Sequence, residues 1–229
     1  AEVSMLADPF FRLDNCRHME ISGFLFQACR GKACVVTGGA QNVIAGSVFR
    51  NIGNEAVVFE QCYQNGIKSC NLYNLAGTAI KLHGGGRPSL KPGNLYAINN
   101  HIHHYDRVFY TYQAAIDIDG VENHAAHNLM HDAPHMAILF RGNEHLLEYN
   151  EVHTIAEKTG DVGAFYIGRD WTCRGNEIRY NYFHHMHGPG LHGVNAVYLD
   201  DFASGTLVYG NLFYKVDRGA FIGGGRDNI

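Results

Sequence analysis

Short bursts of alternating apolar and polar residues recur along this chain. The first burst of each repeat reads Ala-apolar-x-apolar: Ala56-Val57-Val58-Phe59, Ala79-Ile80-Lys81-Leu82, Ala115-Ile116-Asp117-Ile118, Ala137-Ile138-Leu139-Phe140, Ala164-Phe165-Tyr166-Ile167, Ala196-Val197-Tyr198-Leu199 and Ala220-Phe221-Ile222-Gly223. An asparagine opens the second burst: Asn71-Leu72-Tyr73-Asn74, Asn100-His101-Ile102-His103, Asn128-Leu129-Met130-His131, Asn150-Glu151-Val152-His153, Asn181-Tyr182-Phe183-His184 and Asn211-Leu212-Phe213-Tyr214. No segment carries the period of an amphipathic helix. A repeat of roughly 20–35 residues made of short strands predicts an all-β solenoid. Each repeat is too thin to bury its own apolar side chains, so it must stack on its neighbours.

On that period the chain makes about eight coils. They span residues 10–32, 33–54, 55–77, 78–113, 114–135, 136–161, 162–193 and 194–218, with 219–229 opening another. One elongated unit over residues 1–229 is expected. Two coils are long: one carries Gly84-Gly85-Gly86-Arg87-Pro88, the other His187-Gly188-Pro189-Gly190. Such insertions become loops on one flank, often the binding flank. Neither end reads as the cap that protects a solenoid's edge strands, so a segment of a longer protein is expected.

Strand alternation separates inside from outside. Val57, Ile80, Ile116, Ile138, Phe165 and Val197 form one inward row, and Phe59, Leu82, Ile118, Phe140, Ile167 and Leu199 a second. One outward row is Val58, Lys81, Asp117, Leu139, Tyr166 and Tyr198; the next is Glu60, His83, Asp119, Arg141, Gly168 and Asp200. The recurring asparagines read as a ladder of amides at a bend, bonding from coil to coil. His103, His131, His153 and His184 read as stacked structural imidazoles, because a straight ladder diverges where a metal needs convergence. No metal ligand is assigned to them.

A net charge of −4 and a pI near 6.4 argue against nucleic acid, which favours a basic stripe. No apolar run is long enough for a membrane-spanning helix, and no membrane partner is expected. Ala1-Glu2-Val3-Ser4 shows neither the basic nor the apolar region of a leader. The six cysteines lack zinc-type spacing and read mostly as buried thiols, with a Cys29–Cys34 bridge as the alternative.

The outward face of the first strands mixes carboxylates, cations and aromatics: Lys81, His83, Asp117, Asp119, Arg141, Tyr166, Arg169, Asp170, Trp171, Tyr198, Asp200 and Asp201. Aromatic faces beside acids suit sugar rings, whose C–H faces are apolar and whose edges are polar. The plainer reading is a surface whose acids pair with Arg141 and Arg169 as ordinary salt bridges. Asp170 lies one coil from Asp200 and Asp201, which puts their backbones roughly 6 Å apart in space. Retaining glycosidases place their carboxyls about 5–5.5 Å apart and inverting ones about 6.5–9.5 Å, so both outcomes stay open. Two close acids also repel, which leaves one available as a proton donor. Asp117 and Asp119 are a second candidate pair, and Asp161 joins if its bend curls toward the groove.

Three stretches carry a resemblance. Gly168-Arg169-Asp170-Trp171-Thr172, continuing through Arg174-Gly175-Asn176 to Asn181, then Tyr198-Leu199-Asp200-Asp201 with Ser204-Gly205, then Gly223-Gly224-Gly225-Arg226-Asp227-Asn228, resemble right-handed parallel β-helix proteins of the pectate-lyase-like superfamily. They are most similar to the β-helix glycoside hydrolase family that contains α-L-fucosidases and xylanases, glycoside hydrolase family 141. The resemblance implies a single-stranded right-handed parallel β-helix and a catalytic pair of aspartates, drawn from Asp161, Asp170, Asp200 and Asp201. Members of that family usually carry an added β-domain.

The leading expectation is a hydrolase of plant or algal polysaccharide. Arg141, Arg169 and His83 would hold hydroxyls or a uronate, and Tyr166, Tyr198 and Trp171 would stack on rings. A polysaccharide lyase or uronate epimerase would instead use Lys81, His83 and Arg141, with Ca²⁺ held by Asp117, Asp119 and Glu122. A non-catalytic carbohydrate-binding β-helix is the third class. A hydrolase needs no cofactor. The expected partner is a polysaccharide or oligosaccharide, and the expected location is secreted or periplasmic.

Overall fold

A computed structural model describes residues 4–229; the reading of a leader at the N-terminus falls partly on residues 1–3, which lie outside the described residues. Three parallel sheets of nine, eight and eight strands form the walls of an all-β solenoid. The first wall runs through Phe11–Asp14, Cys34–Thr37, Val57–Glu60, Ile80–Gly84, Ala114–Val121, Met136–Asn143, Val162–Ile167, Val194–Leu199 and Arg218–Ile222. Each strand pairs in parallel with the strand three positions on in the chain, so every turn visits all three walls. The described helix is one 3-10 turn, Arg87–Ser89, inside the glycine-rich insertion.

Apolar burial sets the register. Val57, Ile80, Ile116, Ile138, Phe165 and Val197 stand opposite one another from strand to strand. They and the second inward row are buried to within 1 % exposure. Each such side chain contributes about 1.5–3 kcal/mol on burial. A slip of one residue would turn both rows outward, so the burial holds the register firmly.

Buried amides close the bends. Asn100, Asn128, Asn150, Asn181 and Asn211 form a ladder, each side-chain Nδ2 donating to the next Oδ1 at 2.9–3.0 Å. Asn71 does not belong to it: Asn71 stands opposite His101, facing outward, and Cys70 takes the ladder position. Cys70 N–H donates to Asn100 Oδ1 at 3.0 Å, while its thiol accepts from Ser47 N–H. A small side chain that accepts a backbone hydrogen bond suffices there. The residues before the ladder asparagines, Asn99, His127, Tyr149 and Tyr180, sit at φ between 53° and 56°, turning the chain sharply at each coil.

A second ladder runs along another bend. Asn42 N–H donates to Asn65, Leu95 N–H to Asn123, Asn123 N–H to His145 Nδ1, and His145 N–H to Asn176, at 2.8–3.1 Å. All six cysteines are free, and five are buried. Burial pushes the Cys34 thiol up to about 12 and the Cys70 thiol up to about 11.

Candidate active site

The outward rows of the first wall form a groove. Lys81 stands opposite Asp117, Asp117 opposite Leu139, Leu139 opposite Tyr166 and Tyr166 opposite Tyr198. Beside them run Glu60, His83, Asp119 and Arg141. The groove therefore has two chemically different halves.

In the half nearer the N-terminus, each acid meets a cation from a neighbouring coil. Lys81 Nζ lies 2.7 Å from Glu55 Oε1. Arg141 lies 2.7 Å from Asp117 Oδ1 and 3.5 Å from Asp119 Oδ2. His83 sits between Glu60 at 3.3 Å and Asp117 at 3.4 Å; the second is an ion-pair distance, longer than a good hydrogen bond. Burial opposes the charge on Asp117, but His83, Arg141 and Lys81 outweigh it and hold the carboxyl below its ordinary range. The same contacts raise His83 against burial. Glu60, His83, Arg87 and Asp119 line a hollow of about 300 Å³ here. Among the described residues, Asp117, Asp119 and Glu122 do not gather into a cluster of cation donors.

Asp170 is tied to the glycine-rich insertion. Its carboxylate accepts from the Thr172 N–H at 2.9 Å and from the Thr172 hydroxyl, and it meets Arg87 at 2.9 Å. Burial opposes ionisation, but these bonds dominate and hold the pKa at about 2. Arg87 also donates to Asn143 Oδ1 and Thr172 Oγ1, so it pins the glycine-rich insertion to the 168–175 loop. Asp201 lies at the exposed rim, 3.6 Å from Arg169.

The other half brings Asp161 and Asp200 to tyrosine hydroxyls. Tyr166 Oη donates to Asp200 Oδ2 at 2.9 Å, and Tyr198 Oη donates to Asp161 Oδ1 at 3.4 Å. Burial and the adjoining carboxylates both raise the tyrosines, so the phenols stay protonated as donors. The charge of Asp200 as well as that of Asp161 raises Tyr198. Two glycines leave space around Asp200. A Cβ at Gly168 would stand 3.0 Å from Asp200 Cβ, and one at Gly223 would stand 3.1 Å from Asp200 Oδ1. A cavity of about 190 Å³ opens beside them, lined by Tyr112, Leu139, Arg141, Tyr166, Gly168 and Arg169.

The aromatic surface differs from the expected one. Tyr198 is buried and packs edge-on between Tyr166 and Phe221, so it offers no face to a sugar. Trp171 is exposed with Phe202 at 6.3 Å, and Tyr112 projects from the 104–113 segment against Tyr166. Strand phase does not reach Tyr112, Phe202 and Arg87, because each lies outside the strands. A larger hollow of about 750 Å³ lies along the Cys29, Ile52 and Leu75 bend, where no carboxylate among the described residues lines it.

No family model and no curated protein matches this sequence. Among solved structures, a chain described as a "Glycoside hydrolase" is similar, with a TM-score of 0.61 and 14 % identity, over 86 % of this chain and 38 % of that chain. At that identity the likeness is one of fold. It supports a parallel β-helix like that of a glycoside hydrolase, and this chain spans 38 % of its neighbour's length.

Proposed function

We propose that this chain belongs to a carbohydrate-active enzyme, a glycoside hydrolase that cuts a plant or algal polysaccharide in the first-wall groove. Its solenoid is taken as right-handed, in keeping with the chirality of parallel crossovers and with the resemblance to family 141. The carrying observation is the pair Asp161 and Asp200, each bonded to a tyrosine phenol rather than to a cation. A carboxylate neutralised by arginine is poorly placed to take or give a proton. One held by a phenol keeps lone pairs for a reacting atom. One acid of the pair protonates the glycosidic oxygen; the other attacks the anomeric carbon or activates water on the opposite face. Tyr112, Trp171 and Phe202 form the aromatic rim for the sugar rings, and Arg169 reaches their hydroxyls.

The fold alone does not select hydrolysis over elimination or simple binding. The geometry weighs against a lyase base in the other half, where Lys81 and Arg141 are held by Glu55 and Asp117. Incubating the full-length protein with plant and algal polysaccharides should release reducing ends without near-ultraviolet absorbance. Turnover should vanish in Asp200→Asn and in Asp161→Asn and survive in Asp170→Asn. Absorbance from a new double bond, or full turnover in both groove variants, would remove this reading.

A further inference from the structure

The third wall carries chemistry that glycoside cleavage does not use. Its outward face stacks His103, His131, His153 and His184, with ring centroids 4.6–5.0 Å apart and planes within 21°. Parallel rings send their lone pairs in parallel directions, so the ladder alone makes no metal site. Glu151 changes this. It lies two residues before His153 on the strand Glu151–Ile155, hence on the same face, and reaches across to the next strand, Tyr182–Met186. Glu151 Oε1 stands 3.1 Å from His184 Nε2.

Three details build the site. Donor atoms of Glu151, His153 and His184 all lie within 4.8 Å of one another. Each imidazole is oriented through its other nitrogen: His153 Nδ1 meets Thr154 Oγ1 at 3.0 Å, and His184 Nδ1 meets His185 Nδ1 at 2.8 Å. That is the supporting shell a ligating histidine requires. Finally, the exposed Glu151 carboxylate pairs with His184 and, among the described residues, with no lysine or arginine. Glu148, by contrast, already holds Arg179 and His124.

We propose that Glu151, His153 and His184 bind one divalent transition-metal cation of the zinc class, through a carboxylate oxygen and two imidazole nitrogens. Imidazole with one carboxylate selects zinc, nickel or copper over calcium and magnesium, which prefer all-oxygen shells. Tetrahedral ligands about 2.0–2.2 Å from zinc stand about 3.3–3.6 Å from each other. The Glu151–His184 pair, at 3.1 Å, lies close to that spacing, and the His153 nitrogen closes in from within 4.8 Å. The His101 Nε2–His131 Nε2 distance of 2.7 Å is too short for a shared ion and is an N–H···N hydrogen bond. Three protein ligands leave room for water on the open side. The ion ties two successive coils together on the third wall, away from the carboxylates of the groove.

The test is a calorimetric titration of untagged, chelator-stripped protein with zinc sulfate at pH 7.5, with calcium chloride as the comparison ion. One zinc per chain should bind, calcium should not, and zinc should raise the melting temperature. Glu151→Gln, an exposed change that leaves the core intact, and His184→Gln should each weaken zinc at least about tenfold and erase the thermal shift. His101→Gln should leave both unchanged. X-ray absorption of the zinc-loaded protein should show two imidazoles. Absent saturable binding, unchanged binding in Glu151→Gln, or loss in His101→Gln alone would overturn the proposal. Each of these readouts is independent of sugar cleavage, so failure of the hydrolase reading leaves them intact.

Discussion

The two halves of the first-wall groove use the same residue types in opposite ways. Around His83, Asp117, Asp119 and Arg141, every acid finds a cation one coil away. Around Asp161 and Asp200, the acids find phenols, two glycines and a cavity. An ion pair satisfies a carboxylate and quiets it. A phenol positions a carboxylate while leaving its charge and part of its lone-pair capacity in place. Partner chemistry, more than acid count, separates a structural half from a reactive one.

The sharpest way to break this comparison is at Asp200. Replacing one acid of a catalytic pair removes about 10²–10⁴ in rate, and the amide keeps the size of the side chain. Asp200→Asn should therefore abolish measurable sugar release with the melting temperature nearly unchanged. Tyr166→Phe, which removes the phenol that holds Asp200 at 2.9 Å, should lower kcat by a smaller factor. Rates equal to the parent in both variants would make the phenol-bound half as inert as the other.

Asp117→Ala probes the opposite half. It leaves Arg141 and His83 without their shared carboxylate in a place where Asp117 is buried. Breaking a well-buried pair costs about 3–5 kcal/mol, and the partly solvated Arg141 brings the expected loss nearer about 2 kcal/mol. Denaturant unfolding measures it. Sugar release per folded molecule should fall far less than in Asp200→Asn; an equal fall would erase the division between the halves.

Asp170→Asn tests the acid tied to the glycine-rich insertion. It weakens the Arg87–Asp170–Thr172 link and should cost about 1 kcal/mol, with turnover retained. The folded pKa is depressed to about 2, so the carboxylate stabilises the protein above its unfolded value near 3.9. That contribution disappears as pH falls through about 2. The stability difference between parent and variant should therefore narrow between about pH 4 and pH 2, as read from denaturant midpoints.

Much of this architecture was written in strand phase. Period-2 burial of Ile80, Ile116 and Ile138 required their neighbours Lys81, Asp117 and Leu139 to line up outside, and the register has them so. The ladder at Asn100–Asn211 followed from one repeated residue type. What failed to show was whatever depended on the insertions or on a substitute residue. Arg87 reaches Asp170 across 83 positions of chain, and nothing in local spacing encodes that reach. Cys70 fills one rung of the first ladder, where a pattern of asparagines points instead to Asn71. The second ladder is masked because Leu95 and His145 interrupt its asparagines, although Asn42, Asn65 and Asn123 each precede a strand and Asn176 opens one.

His145 gives the smallest effect at neutral pH and the finest test of how the structural half resists acid. Its Nδ1 accepts the Asn123 N–H at 3.1 Å, and its Nε2–H donates to the Arg141 carbonyl at 2.8 Å. That pattern admits only the neutral ring, since a proton on Nδ1 would face the Asn123 N–H. Burial is the larger cause and lowers the pKa to about 4. The unfolded chain takes up this proton near pH 6.5, the folded chain only near 4. Between those values the unfolded state binds more protons, so stability falls as pH falls. Asparagine already fills the neighbouring rungs at Asn123 and Asn176 and does not titrate. His145→Asn should match the parent closely at pH 7.5 and lose less stability between about pH 6.5 and 4, as measured by urea midpoints across that range. A parent and variant that fall in parallel would place the acid sensitivity elsewhere in the chain, with His103 and His135, the other imidazoles held at about 4, as the next to replace.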